Sequence, residues 1–143
     1  MKKIETLFLI LAVLTLSFNY ESTLQDSKNK GINFSDLSFE DALKEAKSSN
    51  KLVFLDAYAA WCGPCKWMEA NTFKDKKVGD YFNENYINLK IDMEKGEGPA
   101  IANKYKVTAY PTMFFINGDG EVVERILGAK PADEFLQKAK TIQ

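Results

Sequence analysis

Two cysteines stand three residues apart in the run Trp61-Cys62-Gly63-Pro64-Cys65-Lys66, and the 143-residue chain has no others. Where such a pair opens a helix, both sulfurs lie on one face of its first turn and can bridge. The first sulfur points at backbone N–H groups that have no helical partner. Those donors and the helix dipole favour thiolate over thiol. Each unit of pKa depression corresponds to about 1.4 kcal/mol of preference for the charged form, so Cys62 is the expected nucleophile. Gly63 leaves room for a partner backbone to approach, and Pro64 is tolerated because a first-turn N–H lacks a helical acceptor. Three other readings compete. A purely structural bridge would gain little, since closing so short a loop removes little entropy from the unfolded chain. A zinc site would have to be completed by Asp or Glu alone, and the third reading is a degenerate domain with idle cysteines.

Composition narrows the chemistry further. With no histidine there is no His general base, no imidazole ligand and no Ser-His or Cys-His pair. Two cysteines are too few for a four-thiolate zinc site or an iron–sulfur cluster. Nineteen basic against 20 acidic residues, a net charge of −1, argue against a nucleic-acid partner. A chain 45% hydrophobic and 27% charged has the make-up of an ordinary soluble domain.

The elements that must position the cysteines follow from periodicity and caps. Ser38 and Asp41 resemble a capping box, with Phe39, Ala42, Leu43 and Ala46 on one helical face. Residues 51–58 form a strand whose Leu52-Val53-Phe54-Leu55 run is apolar on both faces, as a central strand requires. A helix is predicted over 62–71 and another from a cap at Asp75 to 82. Residues 86–92 form a second strand, and Gly98-Pro99 opens a short helix reaching 105. Residues 107–117 contain a strand interrupted at its start by Pro111. Asn117-Gly118-Asp119-Gly120 turns it into a partner over 121–127. Pro131 opens the last helix, where Ala132, Phe135, Leu136 and Ala139 share a face. Alternation in the first half demands parallel strands, and the hairpin demands an antiparallel pair. The fold class is α/β, a mixed central sheet flanked by helices on both faces.

Ahead of this domain, Lys2 and Lys3 precede an apolar run over 7–18, about a dozen residues and short of the roughly 20 a membrane-spanning helix needs. Residues 1–19 read as an export signal, or as an anchor if uncleaved. Residues 20–33 are polar and without apolar period, which reads as a linker, and 34–143 as the domain.

On these residues the chain resembles a thioredoxin-fold thiol–disulfide oxidoreductase from about residue 34 onward, the Trp-Cys-Gly-Pro-Cys-Lys motif being very specific. The resemblance implies that Cys62 attacks and Cys65 resolves, with no cofactor beyond the Cys62–Cys65 disulfide. Asp56, six residues before Cys62, matches the family's buried carboxylate, whose pKa burial would raise and which could take the Cys65 proton through water. Tyr110-Pro111-Thr112 matches the segment carrying a cis-proline that faces the disulfide. Gly128 matches the glycine that completes an apolar docking rim with Trp61 and Tyr110. Trp67 is expected in the core.

Two departures matter. Cytosolic thioredoxins usually place a lysine where this chain has Asn88, beside the buried carboxylate; Lys90 has the same strand parity, and whether it substitutes is open. The run Lys66-Trp67-Met68-Glu69-Ala70-Asn71-Thr72-Phe73 is similar to the C-terminal thioredoxin-like domain of membrane thiol:disulfide interchange proteins. Glu69 shares the helical face of Cys62 and Cys65. It is either a solvated helix residue or a second carboxylate that raises the cysteine pKa values. The Gly-Pro dipeptide resembles that of the family's reducing members, which, taken with the export signal, implies a periplasmic or otherwise extracytoplasmic reductant of client disulfides. A membrane thiol:disulfide transporter would be its electron donor, and a monomer is expected. An oxidant or isomerase, and a non-catalytic module that holds a partner on the rim, are the alternatives.

Overall fold

The computed structural model describes residues 31–142. Ser38 caps the first helix, α1 (Phe39–Ser49). Its hydroxyl accepts the Asp41 N–H at 3.1 Å and donates to the Asp41 carboxylate at 2.8 Å. Then follow β1 (Leu52–Tyr58), α2 (Gly63–Ala70), α3 (Lys76–Asn85), β2 (Tyr86–Asp92), α4 (Gly98–Tyr105), β3 (Thr112–Ile116), β4 (Val122–Leu127) and α5 (Ala132–Ala139). The order is the one expected, with differences at prolines. Only Thr112–Ile116 of residues 107–117 is strand, because Pro111 has no N–H to give a ladder. Pro99 takes the second position of α4, after Gly98, and Pro131 is the cap of α5.

The sheet runs β2-β1-β3-β4. β1 pairs parallel with β2 and antiparallel with β3, and β3 pairs antiparallel with β4. The 117–120 turn is tied by its own side chain, since Asn117 Oδ1 accepts the N–H groups of Asp119 and Glu121 at 3.0 and 2.9 Å. Gly120 supplies the positive φ of 82° that the turn needs.

β1 is central and buried on both faces, as its apolar run predicts. Val53, Leu55 and Ala57 pack with Phe39, Ala42 and Ala46 of α1, Ile101 and Tyr105 of α4, and Leu89, Phe114 and Ile116 of the sheet. On the other face Phe54 joins Met68 of α2, Val78 and Phe82 of α3, and Phe135 and Leu136 of α5. Phe54 lies edge-on to Phe82 at 4.8 Å, and Phe82 stacks on Phe135 at 4.9 Å. Such ring pairs add about 0.5–1.5 kcal/mol each beyond area burial.

Residues 31–33, assigned to the linker by composition, are held by the domain. The Ile32 N–H donates to Phe73 O at 2.7 Å, Asn33 N–H to Asn83 Oδ1 at 2.8 Å, and Asn83 Nδ2 to Gly31 O at 3.0 Å. The apolar run over 7–18 and its lysines lie outside the described residues. Among the described residues no helix is long and apolar enough to cross a membrane.

Candidate active site

β1 delivers the chain to the cysteines. After Tyr58 the backbone turns through Ala59, whose carbonyl accepts the Cys62 N–H at 3.0 Å, and Cys62 becomes the extended cap residue of α2. Its Sγ accepts the Cys65 N–H at 3.2 Å. That is the helix-terminal donor expected to favour a thiolate there. Pro64 lies in the first turn, where no N–H is missed. Cys62 and Cys65 are joined by a disulfide with their Cα atoms 5.3 Å apart. Both are nearly buried and pack with Ala59, Tyr58 and Tyr110. The carrier of redox chemistry is thus part of the chain, and among the described residues no acidic or thiol cluster could hold a metal.

The rim residues meet around this bridge. The Tyr110–Pro111 bond is cis, and Gly128 N–H donates to Pro111 O at 2.9 Å, tying the end of β4 to that loop. Trp61 is 67% exposed and meets the Tyr110 ring edge-on at 5.8 Å. A side chain added at Gly63 or Gly128 would meet nothing within 4 Å, so the backbone at both glycines is open to an approaching chain. The sequence reading missed Glu94, which accepts the Trp61 indole N–H at 3.0 Å on both carboxylate oxygens and so fixes the ring. Partial burial, with Glu94 and Asp92 nearby, pushes the Tyr110 phenol up. Trp67 is a correction. It is 45% exposed rather than core, because only Cys65 and Met68 of the eight-residue α2 face inward. Trp67 instead lines a surface groove with Pro131 and Ala132.

Two residues before the end of β1, Asp56 is 1% exposed and its Oδ1 has no hydrogen-bond partner among the described residues. Burial pushes its carboxyl up to about 7; Lys90 opposes that shift and Glu69 adds to it. Lys90 is the register partner of Asp56 and pairs with Glu69 at 2.6 Å, its ammonium lying 4.7 Å from the Tyr58 ring centre. Asn88 is turned away, its amide donating to Phe82 O at 3.2 Å. The cation beside the buried carboxylate therefore comes from Lys90. Glu69 leaves α2 toward that lysine, with its side chain 55% exposed.

A four-stranded mixed sheet, a cis-proline loop and a disulfide capping the helix after the central strand define the thioredoxin-fold class. The chain belongs to the thioredoxin-like domain family, which matches residues 39–143. It is 42% identical over 101 residues to thioredoxin Y1, chloroplastic, of Arabidopsis thaliana, covering 71% of this chain and 54% of that one. It is 38% identical over 105 residues to the thiol:disulfide interchange protein DsbD of Pasteurella multocida, covering 68% of this chain and 18% of that one. The chain thus spans about half the length of the first relative and under a fifth of the second. Among solved structures, a proposed disulphide-isomerase from Bacteroides thetaiotaomicron is 53% identical with a TM-score of 0.70, covering 79% of this chain and 93% of that one. The oxidised C-terminal domain of DsbD from Neisseria meningitidis is 30% identical with a TM-score of 0.59, covering 73% and 89%.

Proposed function

We propose that the protein is an exported thiol–disulfide oxidoreductase that reduces disulfides of client proteins outside the cytoplasm. The observation that carries this reading is Cys62 at the cap of α2, its Sγ facing the Cys65 N–H and bridged to Cys65. In the reduced protein the Cys62 thiolate attacks one sulfur of a client disulfide, and the other client sulfur leaves with the electron pair. A mixed disulfide joins Cys62 to the client. Cys65 loses its proton to Asp56 and attacks Cys62 Sγ, releasing the client thiolate and closing the Cys62–Cys65 bond. Client backbone lies against Gly63, Pro111 and Gly128, with Trp61 and Tyr110 flanking it. Export is supported by Lys2, Lys3 and the apolar run over 7–18. In an oxidising compartment the pair must be re-reduced, and a membrane thiol:disulfide donor is the class of partner that does this. The similarity to a proposed disulphide-isomerase favours isomerisation as a second reading. The reduction potential of the couple separates the two directions, a strongly reducing value supporting the reductase.

The division of labour is checked by trapping. Cys65→Ala should accumulate mixed disulfides with clients on a non-reducing gel, while Cys62→Ala traps none. Equal trapping by both variants would reverse the assignment, and full activity of Cys62→Ser would make the domain a binding module.

A further inference from the structure

Asp56 and Lys90 are neighbours across the parallel β1/β2 register, so their side chains leave the sheet together on one face. Adjacent strands lie about 4.8 Å apart, and the four-carbon stem of Lys90 can bring its ammonium to Asp56 by rotamer change alone. It stands instead on Glu69 of α2, at 2.6 Å. Two carboxylates thus compete for one cation. Glu69 is largely in solvent, whereas Asp56 is buried with an unpartnered oxygen. An unmatched charge costs far more at the buried site than at the solvated one. The ammonium therefore belongs with Asp56 when that carboxyl is charged and with Glu69 when it is neutral.

We propose that Lys90 is a positioning residue that exchanges partners between Asp56 and Glu69, so that Asp56 can take up the Cys65 proton without leaving an unmatched charge in the core. This inference rests on the exchange reaction proposed above. During resolution the Cys65 proton passes to the Asp56 carboxylate and Cys65 Sγ bonds to Cys62 Sγ. The bond from Cys62 to the client sulfur breaks with its electron pair, so the two electrons lost by the cysteine pair reduce the client. Asp56 is then neutral and Lys90 returns to Glu69. Lys90 stands on Glu69 in this structure, whose disulfide is closed. The charged or titratable groups facing the exchange are Asp56 and Tyr58 of β1, Lys90 and Asp92 of β2, and Glu69 with the two cysteines of α2. β3 contributes the uncharged Met113 opposite Asp56, and Asp92 is engaged by Lys95 at 3.8 Å.

The test is a double-mutant cycle. The Asp56 carboxyl is followed by carbon-13 NMR across pH in the full chain, alongside the single-turnover rate of resolution. Lys90→Met keeps the apolar stem and should raise the Asp56 midpoint by about one unit, moving the resolution rate profile upward with it. Lys90→Arg should restore both. Glu69→Gln should lower the midpoint by freeing Lys90 for Asp56, and this effect should shrink severalfold in the Lys90→Met background. An unchanged midpoint in Lys90→Met, or an equal Glu69→Gln shift in both backgrounds, would overturn the exchange. If the unmutated protein failed to reduce any disulfide the oxidoreductase reading would fall, while the carboxyl titration would still decide the role of Lys90.

Discussion

Asp56 is a carboxylate set where charge is least welcome, and its cost can be read from stability. Burial lifts its pKa from 3.8 to about 7 in the folded chain. Between those values the folded state holds a proton that the unfolded state has lost, so stability falls as pH rises across the window. It levels off once both states are ionised. At about 1.4 kcal/mol per unit the loss is ~4 kcal/mol at most. Asp56→Asn should therefore unfold at higher denaturant concentration than the parent above pH 7 and show a flatter profile between pH 4 and 7. Chemical denaturation at a series of pH values checks this, and parallel profiles would mean that folding does not shift the Asp56 carboxyl.

At the scale of elements, two junctions join distant parts of the chain. One is the start of α2, where the β1 chain ends and Cys62 becomes the cap. The other is the seat of residues 31–33 on α3. A Cβ on Gly79 would run into the backbone of Gly31, whose own φ is +96°. Gly79 thus trades helix propensity, about 1 kcal/mol relative to alanine, for close approach of a second backbone. Gly79→Ala should expel the segment while α3 persists. Hydrogen exchange at the Ile32 and Asn33 amides should quicken at least tenfold, with Val78 and Phe82 little changed. Unchanged protection at Ile32 would show that the two backbones can separate without releasing the segment.

For the whole molecule, the domain is one two-faced sheet whose β1 carries core side chains to both layers and leads to the cysteines. Its proposed working place is outside the cytoplasm. Fractionation of cells making the full chain should find the protein outside the cytosol, soluble or membrane-held. Replacing Lys2 and Lys3 with acidic residues should retain it inside. Full-length protein in the cytosol of unmutated cells would reject export and, with it, the membrane donor.

Element types, their order, the caps at Ser38 and Asp75, the 117–120 turn and the Cys62–Cys65 pair were legible in the chain. Each depends on residues within a turn or a period of one another. The apolar run of 52–55 likewise announced a strand buried on both faces. Three features were decided by tertiary structure. Lys90, rather than Asn88, stands beside Asp56 because the β1/β2 register places it there, 34 positions along the chain. Glu94 reaches Trp61 only because the chain beyond β2 passes the start of α2. Trp67 lies half exposed because Cys65 and Met68 take the inward arc of a short helix. Register and packing between distant segments set which charges share a buried space, and a linear pattern records residue types without recording which distant residues become neighbours.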